Sequence, residues 1–173
     1  HLTKTLRLVA SSDPEIRAAI VRAQPDHSFA MRAMQDAHPM VRSTALAALL
    51  SDGGPQAQAV RPVIEQVVSS GTADERAALA RALSGQAHGP FQVDILAKIA
   101  TAATTVERAA AAAAIASNPL PAHLPTAVGL LATREARTDA RRTLIAIGTS
   151  AVAHLARALA DTDQPEGVRI HIP

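Results

Sequence analysis

The chain has no cysteine, tryptophan or tyrosine, and only two phenylalanines among 173 residues. Without cysteine, disulfides, thiolate metal sites and cysteine nucleophiles are excluded. With 1% aromatic residues, a single thick core built on large rings is not expected. Alanine supplies much of the 48% hydrophobic content, and each alanine buries little area, so stability has to come from many dispersed Leu, Ile and Val contacts. No apolar run approaches the roughly 18–20 residues that span a bilayer. The longest low-polarity run, Ala109–Ala116, is mostly alanine and too short. The opening H-L-T-K-T-L-R-L-V-A lacks the apolar stretch of a signal peptide. Lysine is scarce: two Lys and 15 Arg face 15 acids, for a net charge of +2. That weak excess permits nucleic-acid contact without demanding it.

Motifs for nucleotide or hydrolytic chemistry are also missing. There is no G-x-x-x-x-G-K-[ST] or G-x-G-x-x-G phosphate loop, and no G-x-S-x-G nucleophile turn. Seven histidines (His1, His27, His38, His88, His123, His154, His171) are far apart, and none falls in H-x-x-x-H or H-E-x-x-H. No metal or other cofactor is expected from them, and His38 reads as a turn or capping residue. The acid clusters Asp74–Glu75 and Asp161/Asp163 sit at helix boundaries, where the helix dipole accounts for them. No enzymatic activity is expected.

What is present is a recurring helix start. D-A-H-P-M-V-R-S-T-A-L-A-A-L-L (36–50) repeats the pattern of S-S-D-P-E-I-R-A-A-I-V (11–21), aligning Pro14 with Pro39 and Ile16–Arg17 with Val41–Arg42. Proline suits the first helical turn, where its missing N–H is not needed. Leu46, Leu49 and Leu50 supply one apolar face.

Along the chain, Leu2, Leu6 and Val9 read as a helix end. Helices then follow over about 13–23, with Ser11 or Ser12 as cap and Pro25 as stop, 28–35, 39–50 and 55–68. In the last of these Val60, Val63, Ile64, Val67 and Val68 are expected to be buried, and Pro62 either kinks the helix or marks its start. Thr72 and Glu75 form a capping-box pattern ahead of Leu79 and Leu83. Gly85 and H-G-P at 88–90 interrupt the chain before a return helix through Phe91, Ile95 and Ile99. Further helices are expected from Thr104 or Thr105 through Ile115, around Leu124–Leu131, over 135–147, and over 151–160 with Ser150 as cap. In the last, Val152, Leu155 and Leu159 are expected to face inward. Phe29, Met31 and Met34 read as core, and Ala109–Ala116 as tightly packed.

Arg17, Arg42, Arg76, Arg108, Arg142 and Arg169 mark successive units, separated by 25, 34, 32, 34 and 27 residues. A period near 30 with two helices per unit indicates an α-solenoid.

With those residues in view, the chain resembles HEAT and HEAT-like repeat proteins, including the compact bacterial units of phycobilisome-lyase-type repeats. The segments D-A-H-P-M-V-R-S-T-A-L-A-A-L and S-S-D-P-E-I-R-A-A-I carry the resemblance most clearly. It implies an all-α, right-handed, armadillo-like superhelix of about five helix pairs, with residues 1–173 forming one array interrupted at both ends and leaving apolar end faces. It also implies a polar ladder between neighbouring repeats. Arg17, Arg42, Arg76, Arg108 and either Arg141 or Arg142 match its arginine, and Asp36 is the best match for its acid. The resemblance extends to HEAT-like hydroxylases, but their His-Glu pairs are absent. DNA-repair enzymes on such repeats set tryptophans beside an acid, and this chain has no tryptophan.

The expected role is a non-enzymatic protein–protein scaffold or regulatory module of a larger bacterial protein. Cytoplasmic placement is expected, either free or as the soluble domain of a membrane protein. The arginines off the ladder position are the candidate partner contacts: Arg22, Arg32, Arg61, Arg81, Arg134, Arg137 and Arg157. An arginine-mediated nucleic-acid-binding module is the first alternative, and a HEAT-like enzyme such as a DNA glycosylase the second.

Overall fold

A computed structural model describes residues 11–23 and 27–172. The expected helix end at Leu2, Leu6 and Val9, the stop at Pro25, and His1 lie outside the described residues. Among the described residues the protein is all-α, with no strand. It divides into two compact units, residues 1–83 and 84–173, parting at the S-G-Q-A-H-G-P breaker.

The first unit holds α1 (Pro14–Ala23), α2 (His27–Ala33), α3 (Pro39–Ser51), α4 (Pro55–Ser70) and α5 (Ala73–Leu83). Helix α3 is its centre, packing between α1 and α5 and also against α2 and α4. That position explains its composition. Val41, Ala45, Leu46, Ala47, Leu49 and Leu50 are buried, and so are Ser43 and Thr44, so the helix is enclosed nearly all round rather than along one stripe. Thr44 Oγ1 donates back to Met40 O at 2.8 Å, which satisfies its buried hydroxyl. Helix α3 starts at Pro39, behind His38, whose Nδ1 accepts from Met40 N at 3.3 Å. His38 is therefore the cap the sequence suggests. At α1 the cap is Asp13 rather than Ser11 or Ser12, because Asp13 Oδ1 accepts from Glu15 N at 2.8 Å.

Helix α4 starts at Pro55 and continues through Pro62. Pro62 and Gln58, whose carbonyl loses its donor, are both exposed, so the missing bond falls on the solvent side of the helix. Val60 and Ile64 are buried as expected. Val63 is instead 41% exposed and Val67 and Val68 are half-buried. On α2 the buried residue is Ala30. Met31 is 45% exposed and Phe29 half-buried, with the Arg32 guanidinium 5.9 Å from its ring, so this short helix does not place its large side chains in the core.

The second unit holds α6 (Pro90–Ala100), α7 (Thr105–Ser117), a 3-10 turn (Pro121–His123), α8 (Leu124–Leu130), α9 (Arg137–Ile147), α10 (Thr149–Ala160) and α11 (Glu166–Arg169). Helices α7 and α9 lie side by side, with α6 on α7 and α8 on α9. In the alanine run, Ala110, Ala111, Ala112 and Ala114 are buried, the close packing expected of small side chains. Thr104 and Glu107 cap α7 reciprocally. Gly148 joins α9 to α10 in one residue, at φ +70°. Helix α10 starts at Thr149, so Ser150 lies inside it and is not its cap.

The inward face of α10 differs from the sequence reading. Val152 and Leu159 are 64% and 54% exposed and Leu155 is half-buried, whereas Ala151 and Ala158 are buried. The two alanines are seven residues apart, two turns along one face, and let α10 approach α8 and α9 closely. Ile145 and Ile170 are also exposed, so apolar side chains are left on the surface of this unit.

Candidate binding surface

Local sequence places an arginine at the fourth helical position of α1, α3, α5 and α7: Arg17, Arg42, Arg76 and Arg108. From there each guanidinium folds back onto a carbonyl of the loop before its own helix. Arg17 Nη1 reaches Ser11 O at 2.8 Å, and Arg42 Nη1 reaches Asp36 O and Ala37 O, both at 2.9 Å. Arg76 Nη1 reaches Gly71 O at 2.5 Å, and Arg108 Nη2 reaches Ala103 O at 3.4 Å.

In the first unit two of these arginines also reach towards the next helix of the α1–α3–α5 layer, Arg17 to the loop before α3 and Arg42 to α5 itself. Arg17 binds Asp36 in a fork, Nε to Oδ2 at 2.7 Å and Nη2 to Oδ1 at 2.8 Å. Arg42 Nη2 binds Glu75 Oε1 at 2.6 Å. Asp36 is thus the ladder acid the sequence indicates. The following acid is Glu75, and it serves two partners at once. Its Oε2 accepts from Thr72 N at 2.9 Å and Thr72 Oγ1 at 3.2 Å, while its Oε1 takes Arg42.

Both carboxyls are held below the ordinary carboxylate range. For Asp36 the leading cause is the Arg17 side-chain bond, which outweighs burial. For Glu75 it is the Thr72 backbone N–H, followed by the Arg42 side chain. Asp36 in turn raises the Arg17 guanidinium.

The fifth marker does not extend the ladder. Helix α9 begins at Arg137, so its fourth position is buried Ala140. Arg142 pairs locally with Asp139 at 3.0 Å, and Arg141 Nη2 lies 3.5 Å from His171 O. Arg137 makes the backward bond here, Nε to Leu131 O at 2.8 Å. Arg137 is half-buried, with this bond joining it to the segment before its own helix.

Beside the Arg42–Glu75 pair lies a groove of about 70 Å³. Its walls are Met34, Pro39 and Leu46 together with Val63 and Val67 of α4, and Arg42, Ser43 and Glu75 complete it. An apolar cavity of about 150 Å³ admits benzene, so this volume suits the tip of one aliphatic side chain.

The remaining candidate arginines fall on separate elements. In the first unit, Arg22 ends α1, Arg32 ends α2, Arg61 lies within α4 and Arg81 within α5. In the second, Arg134 precedes α9 and Arg157 lies on α10, its Nε 3.2 Å from Ala153 O. No two share an element. Arg32 lies on α2, which ends one residue before Met34, and Arg61 lies on α4, which brings Val63 and Val67 to the groove.

The second unit contains a histidine pair that motif spacing did not reveal. His88 Nδ1 and His123 Nε2 lie 3.1 Å apart, with ring planes at 90°. The two residues are 7% and 0% exposed. Burial, then the His88 charge, pushes His123 from 6.5 down to about 4. The 35-residue separation hides the pair from any local motif. Among the described residues, no group of three or more His, Cys, Asp or Glu is placed to hold a metal ion, and no helix is long and apolar enough to cross a membrane. No known protein family, curated protein or solved structure matches the chain.

Proposed function

We propose that the protein is a non-enzymatic protein-binding module on a HEAT-like α-solenoid, and that its first unit takes an aliphatic side chain of a protein partner in the groove beside Arg42 and Glu75. The groove is the observation that carries this reading: five apolar residues line it, and Val63 is 41% exposed at its wall. Apolar pockets of this kind anchor partner side chains when water is excluded around them. The solenoid reading draws support from helices packing onto the next helix but one, α1 on α3 on α5 in the first unit and α7 on α9 in the second. A binding role rather than proton transfer is favoured because Asp36 and Glu75 are held low by their partners, whereas a general acid needs a raised carboxyl.

The test immobilises the full chain and its Val63→Glu and Arg22→Glu variants, recovers binding proteins, and measures the purified partner's affinity at about 50 mM and about 200 mM salt. The expected result is binding that Val63→Glu abolishes, Arg22→Glu spares and salt changes little. Binding of oligonucleotides that weakens steeply with salt, unaffected by Val63→Glu, overturns the proposal in favour of nucleic acid.

A further inference from the structure

Helix α3 runs into the breaker S-D-G-G-P at 51–55. Asp52 follows its last residue at φ −76°, ψ −17°, and Gly53 takes the left-handed conformation, φ +69°, that ends many helices. Both residues are exposed. Across this turn His27 Nε2, at the first residue of α2, meets Asp52 Oδ2. An ionised carboxylate only accepts, so the imidazole N–H donates. The contact ties the start of α2 to the end of α3. It matters to α2, because the buried residue of that seven-residue helix is Ala30, a small one.

An aspartyl side chain reacts with the backbone most readily when glycine follows, because no Cβ stands beside the attacking amide nitrogen. Among the aspartates of the chain, Asp52 alone precedes a glycine. The one asparagine, Asn118, precedes Pro119, which has no N–H to give up. Closing a ring at Asp52 turns its ψ away from −17°. Gly53 and Gly54 are all that separates Asp52 from α4, and a Cβ added at Gly53 would meet nothing within 4 Å, so the turn has room for that rotation.

We propose that Asp52–Gly53 is a site of spontaneous isoaspartyl modification, and that the modification unties α2 from α3. The Gly53 nitrogen attacks Asp52 Cγ and bonds to it. One carboxylate oxygen departs as water, taking the amide proton and one proton from solvent, and a five-membered imide remains. Water then adds to one of the two imide carbonyls. Opening at Cγ restores aspartate. Opening at the main-chain carbonyl carbon leaves the chain running through Cβ and Cγ, one methylene longer, with the carboxylate on Cα. One water leaves and one returns, so no oxidant, reductant or cofactor takes part. In the isoaspartyl form Cγ belongs to the peptide bond to Gly53. The carboxylate that His27 meets is then gone from its place.

The test stores the full chain at neutral pH and body temperature for weeks. Isoaspartate is mapped in its peptides by electron-transfer fragmentation, which cleaves the added Cα–Cβ link. Isoaspartate should accumulate at Asp52, through a transient form one water lighter, and at no other aspartate. Asp52→Asn should convert faster, since ammonia leaves in place of water. Asp52→Glu, whose ring would be larger, should lose the conversion. Amide exchange in α2 should quicken in the converted chain to the level of Asp52→Ala. Conversion at Asp52 in urea-unfolded chain but not in folded chain overturns the proposal, because the folded turn then shields the site. So does isoaspartate at other aspartates alone, or exchange in α2 that conversion leaves unchanged. The wild-type readings stand even where a variant does not fold.

Discussion

Arg42 and Glu75, 33 residues apart, meet at 2.6 Å, and the same carboxylate caps α5 through Thr72. One side chain thus fixes a helix start and ties that helix to its neighbour. Both ladder carboxyls sit below the ordinary range. Their stabilising contribution is therefore complete above about pH 4–4.5 and is lost as pH falls through their folded-state values. Chemical denaturation of the Asp36→Asn, Glu75→Gln double variant should show a weaker acid-side decline below pH 4 than the wild type, with the remaining decline set by other groups.

Helix α3 and the outer face of α10 should respond oppositely to truncation. Leu49 is 1% exposed at the centre of the first unit, so Leu49→Ala should cost about 2–5 kcal/mol in urea denaturation. Val152→Ala and Leu159→Ala remove side chains that are mostly in water and should each change stability by less than about 0.5 kcal/mol. A large loss at Val152 would mean that α10 faces the other way.

Gly148 has φ +70° and serves as the end of α9 and the start of α10. A Cβ there meets nothing within 4 Å, so any penalty is conformational rather than steric crowding. Gly148→Ala should lower stability by about 1–2 kcal/mol, readable as a drop in Tm. Gly71→Ala should also destabilise, for a different reason. Its Cβ would lie 2.5 Å from Val67 O and 3.2 Å from Glu75 Oε2, so the change should also loosen the ladder at Glu75.

The helices were legible because proline starts, glycine breaks and the Thr72–Glu75 box are local signals. The Arg17–Asp36 contact was legible only through the resemblance to HEAT-like repeats, whose ladder acid Asp36 matches. Glu75 was visible only as a cap: nothing local says that its second oxygen is used by a residue 33 positions upstream. The signal that could have found it is the recurrent Glu-Arg step at 75–76 and 107–108. Val152 and Leu159 misled because helical spacing reports which residues share a face but not which face is covered. Alanine, which hydropathy ranks below both, proved the better packing surface at Ala151 and Ala158. The His88–His123 pair depends on a long-range meeting of two loops, which no periodicity encodes.

The claim that the marker arginines serve the fold is tested most directly by a double-mutant cycle on Arg42 and Glu75, using Arg42→Met and Glu75→Gln and measuring unfolding free energies at neutral pH. Coupling of about 0.5–1 kcal/mol is expected for a half-buried ion pair with good geometry, together with loss of stability in each single variant. Zero coupling, with Arg42→Met neutral in stability, would contradict the ladder and leave Arg42 without a structural role.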